Sequence, residues 1–359
     1  MWLVARAAWS QDDPLYVRVV DVGAGLCCVV VTPDQHHMDY DAGNYKDQGS
    51  TAIAAIRELV PAGATIDLLV LSHRDADHLA AAPAICDEYK VQRVIRDGLV
   101  GTTQTWKKMK KAIRDEVQND GCEDLNLKSV DLAIGTQFTI GQSATATFVS
   151  GFSDLPDDWP ELSDSEDVNA RSIIVRLEFG GHSILFCGDA VGRHIGDSGN
   201  VCIAEERFMV DNAATVPIDS DVIIAPHHGA DNGSSRPFIQ TVSPEYVIFS
   251  AGSHFEHPRA AAAERYVSLG VDINKMFRTD RGDNEGGAEW ASVPGAAKDG
   301  AGDDDVEIRI PAGGTIDVRY RQVLFAPAPI VVAAAPRAAE STLQPARRGL
   351  FRRAFRSRR

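Results

Sequence analysis

"LSHRDADHLAA" (residues 71–81) puts His73, Asp75, Asp77 and His78 into six consecutive positions. The cluster directly follows the apolar run "IDLLVLS" (66–72). A run apolar at successive positions reads as a strand buried on both faces. Four ionisable groups crowded at its end repel or desolvate one another unless a cation sits among them. Imidazole and carboxylate are good ligands for divalent first-row metals. Alternate positions of an extended loop can converge on one point, and His78 can swing to the other side as the helical pattern "DHLAAAPAICDEY" (77–89) begins. The competing reading is a polar helix start, with Asp77 as cap and His73 as a satisfied core histidine.

Two later stretches bear on that choice. "ILFCGDA" (184–190) ends another apolar strand in Asp189, after a glycine that lets the backbone come close. "DVIIAPHHG" (221–229) ends a third in His227 and His228. One metal centre explains three such strand ends at once. Satisfied histidines and caps must explain each separately.

The whole chain bounds the rest. Its 359 residues are 44% hydrophobic, enough for a sizeable core. A formal net charge of −15 argues against passive binding of nucleic acid over the whole surface. Six cysteines form no CxxC pair and sit mostly in apolar runs, which predicts reduced, buried thiols in a cytoplasmic protein. The apolar patch in "MWLVARAAWSQDDP" is too short and interrupted for a secretory signal. No run approaches the ~18 apolar residues of a transmembrane segment, so a soluble protein is expected.

Residues 1–325 read as one domain with acidic loop insertions at 152–167 and 283–305. A flexible Ala/Pro linker (326–346) and an Arg-rich tail (347–359) follow. From Arg337 onward eight arginines face one acid, Glu340, so the remainder is more acidic than the whole. Leu350, Phe351 and Phe355 interleave with those arginines. The tail is suited to nucleic acid, an anionic membrane surface or an acidic protein. The stretch "TWKKMKKAIRDEVQND" (105–120) reads as an amphipathic helix with a solvated charged face.

"SHRDADHLAA", "CGDA" and "PHHG" resemble the signature segments of the metallo-β-lactamase superfamily. Within it, the chain is most similar to the soluble hydrolase domain of ComEC-type DNA-uptake proteins. Supporting strings are "VVDVGAG" (19–25), "DYDAG" (39–43), "NARSIIVRLEFGGHSILFCGD" (169–189), "HPR" (257–259) and "RTDRGD" (278–283). The likeness runs over roughly residues 15–320.

The resemblance implies an α/β fold, a four-layer αββα sandwich with a two-metal site at one edge. His73 and Asp75 would hold one divalent ion. Asp77, His78 and one histidine of "HHG" would hold the other, and Asp189 would bridge them. His228 is favoured as the ligand, because neighbours at one strand end do not readily both face inward. Many members carry a histidine where Asp75 stands and supply one more before the "GD" aspartate. Here only His182, in a hairpin turn, lies between His78 and Asp189. The oxygen-richer site admits manganese or magnesium as well as zinc. Leu26 also stands where the family often has a polar residue.

Candidate catalytic groups are Asp77, Asp189, His227 and His257, the histidines for proton transfer. Asn169, Arg171, Ser172, Ser234 and Ser235 are candidate substrate contacts. Asp21 and Asp41 are candidates to orient the ligands, with a turn-forming role equally open for Asp41. The implied activity is hydrolysis of a phosphodiester, DNA being the leading substrate. Hydrolysis of a lactone, thioester or phosphorylated small molecule, and a non-catalytic metal-binding module, are the alternatives.

Overall fold

The strand Leu68–Leu71 sets the pattern. Leu68 and Val70 face one way, Leu69 and Leu71 the other, and none is more than 1% exposed. Such a strand needs cover on both faces, and the computed structural model supplies it. The structure describes residues 13–283, 286–290 and 304–321. The first twelve residues, most of the 283–305 insertion, the linker and the Arg-rich tail lie outside the described residues.

One sheet has eight strands, in the order Asp317–Tyr320, Val306–Ile310, Leu15–Val19, Cys28–Val31, His37–Tyr40, Leu68–Leu71, Arg93–Arg96 and Glu123–Asn126. It is antiparallel up to His37–Tyr40 and parallel beyond. The other has seven, in the order Met276–Arg278, Tyr246–Phe249, Val222–Ile224, His182–Phe186, Ile174–Phe179, Ala144–Ser150 and Gln137–Ile140. Its last four strands pair antiparallel, and from His182–Phe186 towards Met276–Arg278 it runs parallel.

The two sheets pack face to face. Val17, Val30, Met38, Tyr40 and Val70 meet Phe148, Val175, Ile184, Phe186 and Ile224 in one core. The Tyr40 and Phe186 rings stack at 5.0 Å across it. Helices Ser50–Leu59, Ala82–Glu88 and Gln104–Asp120 cover Val29, Leu69, Leu71 and Val94 on the first sheet's outer face. Helices Ala204–Asn212, Arg236–Val242 and Ala260–Ser268 cover Leu185, Ile223, Val247 and Phe249 on the second. The result is the four-layer αββα sandwich that the resemblance implies.

Local signals explain the long helix. Thr103 accepts a hydrogen bond from the Trp106 N–H, and Gly121 ends the helix in the left-handed region. Trp106, Met109, Ile113 and Glu116 form its buried stripe. The acidic 152–167 segment is not all loop. Ser163 and Glu166 form a reciprocal capping box that starts the helix Asp164–Asn169, and Phe152 packs edge-on against Trp159 and Phe208. Among the described residues, no helix is long and apolar enough to cross a membrane.

Strands His37–Tyr40, Leu68–Leu71, His182–Phe186, Val222–Ile224 and Tyr246–Phe249 all deliver their C-terminal ends to one edge of the sandwich. Ligands of open α/β sheets gather at such ends.

Candidate metal centre

After Tyr40 the chain turns left-handed at Asp41 (φ 59) and buries its carboxylate fully. Asp41 Oδ1 accepts the Ser72 N–H at 2.7 Å, and Oδ2 accepts the Ser72 hydroxyl at 2.8 Å. Oδ2 also lies 2.7 Å from His78 Nδ1, while His73 Nδ1 lies 3.0 Å from Ser72 Oγ. Asp41 therefore orients His78 directly and His73 through Ser72. Both imidazoles are left with Nε2 facing inward.

The second sheet answers from the opposite side. Gly188 has φ +46, and a Cβ there would meet Ser72 Cβ at 2.8 Å and Ser172 Cβ at 3.0 Å. Only glycine lets this turn pack that closely. Ser172 Oγ accepts the Asp189 N–H at 2.9 Å and fixes that backbone. In the turn Pro226–Gly229, His227 (φ 51) and His228 (φ 57) are both left-handed. This conformation is costly for residues with a Cβ. It lets both neighbours turn inward, against the expectation that only one could. His228 Nδ1 donates to the Ser250 carbonyl at 2.7 Å, leaving Nε2 free. His227 has both nitrogens engaged: Nδ1 with Asn232 Oδ1 at 2.6 Å and Nε2 with Asn169 Nδ2 at 3.3 Å.

Asp189 is the hub. His78 Nε2 and His228 Nε2 each lie 3.4 Å from its Oδ1. His227 Nε2 and His73 Nε2 lie 3.6 and 3.9 Å from its Oδ2. Asp75 Oδ2 is 3.7 Å from His73 Nε2. Two overlapping sets bring their ligand atoms within 4.8 Å of one another: His73, His78 and Asp189, and Asp77, His78 and His228.

Electrostatics favour positive charge here. Burial, reinforced by His78, pushes the His73 imidazole down to about 4. Burial disfavours charge on His78 too, but the Asp189 and Asp41 carboxylates overcome it and hold its pKa well above the usual value. Burial alone would raise Asp189; His228, His78 and His227 outweigh it and hold that carboxyl well below the usual range. Burial and then Asp77 raise Asp75. The Nε2 atoms of His73, His78 and His228 and the Oδ1 of Asp189 are buried without a hydrogen-bond partner. Buried polar atoms are seldom left so. Four of them around one point fit a divalent cation, whose ligands these atom types are.

The other expected site residues divide between the rim of the cluster and the surrounding structure. Ser234 and Ser235 are fully buried and do not line the site. Their N–H groups donate to Glu206 at 2.6 and 2.8 Å, and the Ser234 hydroxyl pairs with Tyr266. The buried Glu206 carboxylate needs those donors and turns the loop inward. Ser172 likewise holds Asp189, and Asn169 holds His227. Arg171 pairs with Asp167 at 3.0 Å. Asp21 accepts the Gly23 N–H at 3.1 Å and donates its own N–H to Asp305, organising its turn. His182 bonds the Gly314 carbonyl at 2.7 Å, away from the cluster. The half-buried His257 ring stacks at 6.3 Å on His228 and lies 5.9 Å from His227. Burial, then those two histidines, push it down to about 2. Sequence reasoning missed Ser72, Asn232 and Ser250. Ser250 is a double anchor, its carbonyl on His228 and its hydroxyl on the Gly25 carbonyl at 2.8 Å.

Comparison with known proteins agrees with this architecture. The family model of the metallo-beta-lactamase superfamily matches residues 20–254. The chain is 26% identical over 277 residues to competence protein ComA of Neisseria gonorrhoeae, covering 75% of this chain and 31% of that protein. It is 24% identical over 283 residues to ComE operon protein 3 of Bacillus subtilis, covering 74% and 32%. It thus spans about a third of the length of these relatives. Solved structures align more loosely. CmlA, a diiron beta-hydroxylase from Streptomyces venezuelae, gives a TM-score of 0.42 at 13% identity, covering 75% of this chain and 53% of that one. Zn(2+)-bound PqqB from Methylobacterium extorquens gives 0.42 at 10%, covering 73% and 97%. The chain belongs to the metallo-β-lactamase superfamily.

Proposed function

We propose that this chain is a metal-dependent hydrolase of phosphodiester bonds, working with two divalent cations, zinc or manganese, with magnesium also admissible. One observation carries the reading: bare, buried Nε2 atoms of three histidines surround the Asp189 carboxylate. His73 and Asp75 would hold one ion, Asp77, His78 and His228 the other, with Asp189 between them. When bound, such cations supply Lewis acidity and lower the pKa of water towards neutrality.

The chain's own groups do the rest. Asp189 orients the attacking water. Asn232 keeps the His227 proton on Nδ1, so Nε2, which accepts from Asn169, stands beside Asp189 and can take a proton once that contact opens. His257, held neutral, serves as a hydrogen-bond partner to the substrate. The surplus of carboxylates in the cluster makes the site repel anions without cations and favour a phosphodiester with them. Resemblance to DNA-uptake proteins makes DNA the leading substrate. The Arg-rich tail would add sequence-independent affinity for its backbone, falling with salt.

The test is a panel of manganese- or zinc-supplemented assays on bis-p-nitrophenyl phosphate, linear single- and double-stranded DNA, and a lactone. Phosphodiester turnover that Asp189→Ala abolishes is expected. Equal rates for wild type and Asp189→Ala on every substrate, or turnover of the lactone alone, would overturn the reading.

A further inference from the structure

A series of rings leads from the centre to the surface. His257 stacks on His228 with planes 17° apart and centroids 6.3 Å apart. Phe255 follows at 5.9 Å from His257, and His254 meets Phe255 edge-to-face at 4.4 Å. Phe255 is 51% exposed. A phenyl ring left in water forgoes the gain of burial.

The turn that carries the ring is nonetheless pinned. Its turn, Ser253–Phe255, is closed by the Glu256 N–H on the Ser253 carbonyl, and Arg259 pairs with Glu256 at 2.9 Å. Gly252 abuts the 20–25 loop so closely that a Cβ would lie 2.3 Å from the Ala24 nitrogen. An exposed aromatic on a pinned turn, two rings away from a candidate metal ligand, is a platform for a planar group attached to the reacting one. In a nucleic acid strand that group is the base next to the cleaved phosphate. In a duplex, bases are already paired and stacked on one another; in a single strand they are free to stack on a protein ring.

We propose that Phe255, edged by His254, is a specificity residue that stacks an unpaired nucleobase flanking the scissile phosphodiester. The inference rests on the phosphodiester reading above and adds the substrate's single-stranded character.

The test compares kcat/KM on oligothymidylate with that on methyl p-nitrophenyl phosphate, which has no base. Phe255→Ala is expected to lose about 5- to 150-fold more on the oligonucleotide, the range that base–aromatic stacking supports. Phe255→Trp should restore the ratio, and an oligonucleotide carrying abasic sites should show wild type the same deficit. Equal loss on both substrates, or loss on neither, overturns the inference; a Phe255 that serves a protein partner instead gives that result. Wild-type turnover of methyl p-nitrophenyl phosphate but not of oligothymidylate overturns it too, and leaves the phosphodiester reading standing. Turnover of neither removes the underlying reading.

Discussion

Asp41 Oδ2 lies 2.7 Å from His78 Nδ1, and both side chains are fully buried. The same carboxylate grips Ser72, whose hydroxyl reaches His73. One residue outside the candidate ligand set thus fixes the orientation of two inside it. Removing such a partner typically lowers metal affinity 10- to 100-fold. Asp41→Ala should therefore lose about 10- to 100-fold in competition with a chelating dye, and Asp41→Asn, which preserves the packing, should lose less. Melting of the metal-free variants controls for folding. Unchanged affinity beside a lowered metal-free Tm would reduce Asp41 to a turn residue.

The candidate ligands were readable from sequence because each follows an apolar strand and carries a distinctive side chain. Their partners were not. Ser72 and Ser250 act through a hydroxyl and a carbonyl, groups that any loop offers without a periodic signal. The serines after "HHGADNG" looked available to phosphate because a polar loop gives no hint of the buried Glu206 beneath it. Glu205 and Glu206 sit fully buried in the helix Ala204–Asn212 and blur its apolar stripe, so that helix went unmarked. The "HHG" turn defied strand logic because two consecutive left-handed residues are not a pattern that composition announces.

Asp39 offers a test of the fold alone. It lies in the strand beside Val29, fully buried, and neither carboxylate oxygen has a hydrogen-bond partner. Burial pushes its pKa up to about 7. The unfolded chain ionises this group near ~3.9, while the folded chain keeps it neutral until about 7. Below the lower value the group contributes no difference. Between the two, stability falls with rising pH by up to about 1.4 kcal/mol per unit, then levels off. Asp39→Asn should remove that slope. The stability gap between variant and wild type, from urea unfolding, should widen in favour of the variant from pH 4 to 7. A gap independent of pH would mean that Asp39 is ionised in the fold.

Glu206 and Ser234 separate structure from substrate contact. Glu206→Ala strands the Ser234 and Ser235 N–H groups, each worth about 1–3 kcal/mol when left unpaired in the interior. It should lower unfolding free energy by that order. Ser234→Ala loses only the hydroxyl pairing with Tyr266, about 1 kcal/mol, and should leave KM for a phosphodiester unchanged. A raised KM with unaltered stability would return Ser234 to the substrate site.

The two histidines of the "HHG" turn should part company by metal analysis. His228 spends Nδ1 on the Ser250 carbonyl and aims a bare Nε2 at Asp189. That is the state of a ligand nitrogen, its tautomer fixed by the far-side hydrogen bond. His227 shares Nε2 with Asn169 and Nδ1 with Asn232, so it would have to break a hydrogen bond to ligate. His228→Ala should therefore lower the number of ions retained per chain after dialysis against buffer without metal. His227→Ala should keep that number and lower kcat by about 10²–10⁴-fold, as removal of a proton-transfer group does. If both variants lose the same ion, His227 is a ligand and the Asn169 contact yields to the metal. If neither does, the ions are held by the Asp75–Asp189 side of the cluster, and the place of His228 in the centre must be reassigned.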